Sequence, residues 1–173
     1  MAKAHSDAKG IWPFALGVYT QAGIAPHFLA FQEDFGADVN LLLYGCWEGA
    51  ERGRRLSEDE IRTAASRVAD WHAEVVRALR ALRTRMKAGF APIDPIGSDR
   101  LREQIKALEI GAERLELEAL EAAALSRAPD GDPDAALAAA NLRACLEHFA
   151  GHALRPQDEE RFRHIIDAVA KLA

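Results

Sequence analysis

A chain of 173 residues, 49% hydrophobic and 28% charged, carries enough apolar material for a buried core and too much for a disordered chain. Its net charge of -5 supplies no general electrostatic pull toward nucleic acid or an anionic membrane, so neither is expected as a partner. Two cysteines, Cys46 and Cys145, are too few for a disulfide framework and fit buried reduced thiols, which points to a cytoplasmic setting.

Residues 1–10 are expected to be flexible, and residues 11–173 to form a single all-helical domain. The apolar run from Ile11 does not read as a secretion signal, because Pro13, Trp12, Phe14 and Tyr19 interrupt it and no small-residue cleavage site closes it. No run approaches the roughly 18 apolar residues of a membrane span. Pro13 and Pro26 suit first-turn positions and predict short helices over 12–21 and 26–35, ended by Gly23 and Gly36. Asp38 stands where it caps a third helix, whose Leu41, Leu42, Leu43, Tyr44, Cys46 and Trp47 are apolar nearly all round and predict burial.

Ser57 and Glu60 form a capping box that opens a long helix. Its seam is read as Ile61, Ala65, Val68, Val75, Leu79, Leu82 and Met86, with His72 at a seam position, until Gly89 and Pro92 stop it. After a turn with Pro92, Asp94, Pro95 and Gly97, a second long helix offers Leu101, Ile105, Leu108, Ala112, Leu115, Ala119 and Ala122. Laid antiparallel, the Arg77, Arg80 and Arg83 series falls beside Glu109 and Glu113, so ion pairs are expected to fix the register. Asp132 with Pro133 is read as the start of a helix to about 153, and a last amphipathic helix begins near 158. The fold class is therefore all-α: a helical bundle with short N-terminal helices packed on a long antiparallel helical hairpin, plus two C-terminal helices.

Trp12 to Tyr19 (WPFALGVY), Gly36 to Trp47 (GADVNLLLYGCW), Trp71 and the VVRALRALR run from Val75 to Arg83 together resemble a proteobacterial family, the domain of unknown function 2390. The similarity covers roughly residues 10–120. Residues 11–128 then form the family-like part and 129–173 the divergent C-terminal helices. Pro13 stands where an acidic residue is expected in that family. The resemblance implies a bacterial protein and carries no activity with it.

Several residues suggest a site, and each has a structural reading that is preferred. Asp38 and Asn40 at a buried helix start offer an anion or ligand site, although a cap needs an Asp there in any case. His72, placed near Glu113, is a candidate acid-base group, and more simply a satisfied core histidine. Arg77, Arg80, Arg83 and Lys87 are better read as a solvated or ion-paired face than as a phosphate site. Cys145, His148 and His152 have ligand-like spacing on one helix, but no second ligand pair accompanies them, so no metal, cofactor or catalytic residue is assigned. The second long helix is apolar on a further side, at Ile110, Leu117, Leu120 and Ala124. The helix around Leu142 to Phe149 is expected to cover it; the alternative is an interaction surface for a protein partner or a homodimer. The first functional expectation is a non-enzymatic protein-interaction module. The alternative is a small-molecule or anion-binding protein, or an enzyme, with a pocket near Asp38, Asn40 and Arg80, bordered by Trp12, Trp71, His72 and Arg83.

Overall fold

Every regular element among the described residues, 9–172 of this computed structural model, is helical. In chain order these are α1 (Ile11–Tyr19), α2 (Ala25–Phe35), α3 (Val39–Ala50), α4 (Glu58–Trp71), a π-helical turn (His72–Val76), α5 (Arg77–Met86), α6 (Pro95–Ala124), α7 (Ala135–Ala150) and α8 (Pro156–Ala170). Of the N-terminal stretch expected to be flexible, residues 1–8 lie outside the described ones.

The caps follow the local chemistry of the sequence. Asp38 Oδ1 accepts from Asn40 N at 2.9 Å to start α3, and Gly36 supplies the left-handed φ of 66° that ends α2. Ser57 and Glu60 close a reciprocal capping box at the start of α4. At α7 the expectation needs correction: Asp134, not Asp132, is the cap, and its Oδ1 accepts from Ala136 N at 2.8 Å. Asp134 N donates to Gly49 O, so residues 132–133 serve as an approach strap along α3 rather than as a first helical turn.

α3 is the axis of the bundle and is buried from Asn40 to Ala50. Two glycines let α7 lie against it at backbone distance. A Cβ on Gly49 would fall 2.2 Å from Ala138 N, and one on Gly45 would meet Cys145 Sγ at 2.9 Å. α1 and α6 pack on other sides of α3, and α8 closes over α2 and α7.

The chain from α4 through α5 runs antiparallel to α6, as the pairings of Trp71 with Ala112 and of Arg83 with Glu109 show. The seam differs from the periodic reading. On α6 the inward residues are Ile105, Glu109, Ala112 and Glu116, while Leu101, Leu108 and Leu115 are exposed. Ala119 and Ala122 are exposed as well. The reason is rotational: α6 also delivers Leu117, Leu120 and Ala124 to the core around α3, and at 100° per residue that turns the leucine stripe roughly 100° away from the buried arc. On the opposite arm Val76 is fully buried and Leu82 is exposed, because the π turn shifts the inward phase by one residue.

The expected cover of α6 is also corrected. α7 lies behind α3, and α1, α3 and α4 cover the second apolar side of α6 instead. Leu117 and Leu120, each 1% exposed, are thus closed within the chain and offer no free interaction surface; of the four residues on that side Ile110 alone is exposed.

Candidate functional site

Three acid-base side chains meet where the start of α3 enters the hairpin. Asp38 comes from the α3 cap, His72 from the first position of the π turn and Glu116 from the C-terminal half of α6. His72 Nδ1 lies 3.3 Å from Asp38 Oδ2 and 3.3 Å from Glu116 Oε2. Both carboxylates are buried, and the imidazole is half-buried. The π turn brings this about. Its extra residue in the turn lets Val68, His72, Val76 and then Arg80 face inward in succession, where an unbroken heptad would have carried Val75, Leu79 and Leu82 there.

A second polar group continues the line along the hairpin. Arg80 pairs with Glu109 at 2.9 Å and with Glu113 at 2.5 Å, and it also donates to Gln32 of α2. Arg83 adds a second guanidinium to Glu109 at 2.5 Å. Asn40 links the two groups, donating through Nδ2 to Glu113 O at 3.2 Å.

The environment sets the charge of each member. Burial, and then the neighbouring Glu116 carboxylate, push the Asp38 carboxyl well above its ordinary range against the opposing pull of His72. Burial works against the charged imidazole of His72, but the Glu116 hydrogen bond and the Asp38 charge outweigh it and raise the ring above its usual value. Glu113 is raised chiefly by burial; Glu109, also opposed by burial, is held down by hydrogen bonds from Arg83 and Arg80. The hairpin therefore contains a zone where carboxylates outnumber the groups that neutralise them.

The structure brings Asp38, Asn40 and His72 together, with Arg80 and Arg83 further along the same interface. Trp71 stands beside them, partly exposed, its indole N–H donating to Ala112 O at 3.0 Å. Trp12 lies under the Arg114 guanidinium, 5.7 Å from ring centre. Arg77 is exposed and makes none of the pairs expected of it. His72 meets Glu116, one turn beyond the Glu113 expected from sequence, since Glu113 is taken by Arg80.

The ligand-like spacing of Cys145, His148 and His152 does not become a site. Cys145 is sealed against α3, His148 stacks edge-on against Phe149, and His152 is exposed beside Ala153 O, so that trio does not converge. Among the described residues, the donor atoms that do converge are those of Asp38, His72 and Glu116, all within 4.8 Å of one another. Sequence reasoning missed Glu116 and Gln32. The one available signal was that Glu109 and Glu116 repeat the seven-residue step of Ile105 and Ala112, a second stripe parallel to the more conspicuous leucines.

Residues 10–120 match the DUF2390 family, described as proteins of unknown function. The chain belongs to this family. No curated protein and no solved structure matches it. Asp38, His72, Glu116 and the Arg80 pairs of this DUF2390 protein all fall inside the matching stretch, whereas α7 and α8 lie beyond it. None of the helices among the described residues is long and apolar enough to cross a membrane.

Proposed function

We propose that this DUF2390 protein is a binding protein whose site is the Asp38–His72–Glu116 cluster, in preference to a plain interaction module. The observation that carries the reading is Glu116: its side chain is wholly buried, one carboxylate oxygen has no hydrogen-bond partner, and a second buried carboxylate stands beside it. Two neighbouring carboxylates in the interior destabilise a fold unless something positive offsets them, and such arrangements concentrate at functional sites. Four carboxylates, Asp38, Glu109, Glu113 and Glu116, face two guanidiniums and one imidazole across this interface. That balance supports a small cationic ligand over the anion considered from sequence.

The test is a thermal-shift panel of amines, guanidinium compounds, polyamines and divalent metal ions on the wild-type chain and on Glu116→Gln. At a hundredfold excess over Kd, a true ligand raises the wild-type Tm by roughly 5–10 °C and leaves the variant unmoved. A panel in which no cation separates the two proteins would sink the reading. A second reading, self-association, is favoured by the exposed stripe of Leu101, Leu108 and Leu115 along α6. Sedimentation velocity decides it, since a monomer at high concentration rules the dimer out.

A further inference from the structure

We propose that the ligand is a divalent first-row transition-metal ion held by Asp38 Oδ2, His72 Nδ1 and Glu116 Oε2. This rests on the binding reading above and names what is bound.

The spacing of the donors is the first argument. Ligand atoms that share such an ion at about 2.1 Å stand roughly 3.0–3.4 Å from one another for angles between octahedral and tetrahedral. His72 Nδ1 lies 3.3 Å from each carboxylate oxygen, so two edges of the coordination figure already have the right length. The His72–Glu116 hydrogen bond, at 3.3 Å, is long for a charge-assisted N–H···O bond, which closes to about 2.7–2.9 Å. An ammonium group needs more room: with its nitrogen about 2.8 Å from each acceptor, the acceptors would sit roughly 4.5 Å apart. The two edges at 3.3 Å suit a shared ion and leave too little room for an ammonium between the imidazole and either carboxylate.

The remaining valences point the same way. Asp38 spends Oδ1 on Asn40 N at 2.9 Å, which fixes the carboxylate and leaves Oδ2 turned to His72. Glu116 is held on a 30-residue helix with its side chain fully buried, and its Oε1 has no hydrogen-bond partner. Two carboxylates and a neutral imidazole match the charge of a dication. One nitrogen among oxygens suits manganese, iron, cobalt, nickel or zinc, whereas magnesium and calcium favour oxygen throughout. The three ligands come from the α3 cap, the π turn and α6, so the ion ties the central helix to both arms of the hairpin.

The experiment uses the full chain, freed of metal and titrated separately with Zn2+, Mn2+, Co2+ and, as a contrast, Mg2+, by calorimetry and equilibrium dialysis. One transition ion per chain is expected, with Mg2+ much weaker. His72→Ala and Glu116→Gln should each weaken binding at least ~100-fold while circular dichroism shows them folded. If a variant fails to fold, two wild-type readouts decide instead: a ligand-field absorption band on adding Co2+, and selective broadening of the His72 ring resonances by Mn2+. Absence of stoichiometric binding, or binding that survives both substitutions, overturns the assignment. Should an amine or guanidinium compound act through Glu116 while the ions do not, the metal assignment falls and the binding reading stands. Failure of every cation removes both.

Discussion

Asn141 shows how much one polar side chain does in this core. It is fully buried on α7, donates through Nδ2 to Gly45 O and Arg54 O, and accepts through Oδ1 from Leu56 N and the Arg55 guanidinium. It thereby satisfies Arg54 O and Leu56 N in the loop that links α3 to α4, for which no helix partner exists. Asn141→Ala strands those groups and is expected to cost about 2–4 kcal/mol in urea unfolding; an unchanged midpoint would contradict the account. Glu60 governs part of the acid limit. Partial burial pulls its carboxyl up, but hydrogen bonds from Ser57 N and the Arg54 guanidinium prevail and hold it at about 2, below the ordinary 4.5. A folded pKa below the unfolded one means the stabilisation is complete above pH 4.5 and is lost as pH falls toward 2. Glu60→Gln should therefore flatten the dependence of Tm on pH across that window, with little change in slope near neutrality.

At the scale of elements, close packing and helix winding outweigh propensity. Gly49 and Gly111 are both helical glycines, and the sequence gives no reason to treat them differently. Gly49 faces the α7 backbone, and a Cβ there would stand 2.2 Å from Ala138 N; beside Gly111 there is nothing within 4 Å. Gly49→Ala is expected to destabilise by about 3 kcal/mol, as α3 and α7 are forced apart, while Gly111→Ala stabilises by about 0.5–1 kcal/mol through helix propensity. Equal effects of the two in denaturant melts would refute the α3–α7 crossing. The Ser57–Glu60 capping box, the glycine stops and the Arg80 and Arg83 pairing with Glu109 were legible because each depends on neighbours in sequence or on a simple antiparallel register. The seam of α6 was not, since two stripes with the same seven-residue step compete and only the neighbours of α6 choose between them.

For the whole molecule, the telling feature is that α3 is completed from outside the family-matching stretch. α7 covers one side of α3 with Ala138, Leu142, Cys145 and Leu146, all fully buried, and it lies beyond residue 120. A chain ended at residue 128 would expose that side, including Leu42 and Cys46 of the central helix. It is expected to lose cooperative thermal unfolding and to aggregate, whereas cooperative melting of that fragment would show that α7 and α8 are dispensable. The candidate site lies between the α3 cap and the hairpin, and α7 packs along α3, so the C-terminal helices support the axis on which Asp38 is mounted.

From sequence alone came what short-range chemistry dictates: an all-helical chain, the caps of the third and fourth helices and the glycine stops, a buried third helix, an antiparallel hairpin with arginine–glutamate pairs, and the candidacy of Asp38, Asn40 and His72. Tertiary packing alone decided which face of α6 turned inward, that a π turn would bring His72 against Glu116 rather than Glu113, and that α7 would lie on α3. The physical reason is that periodicity fixes how side chains alternate along a helix but leaves its rotation free. Rotation is settled only when every neighbour claims a side at once, and here those claims drew two carboxylates and an imidazole together in the interior.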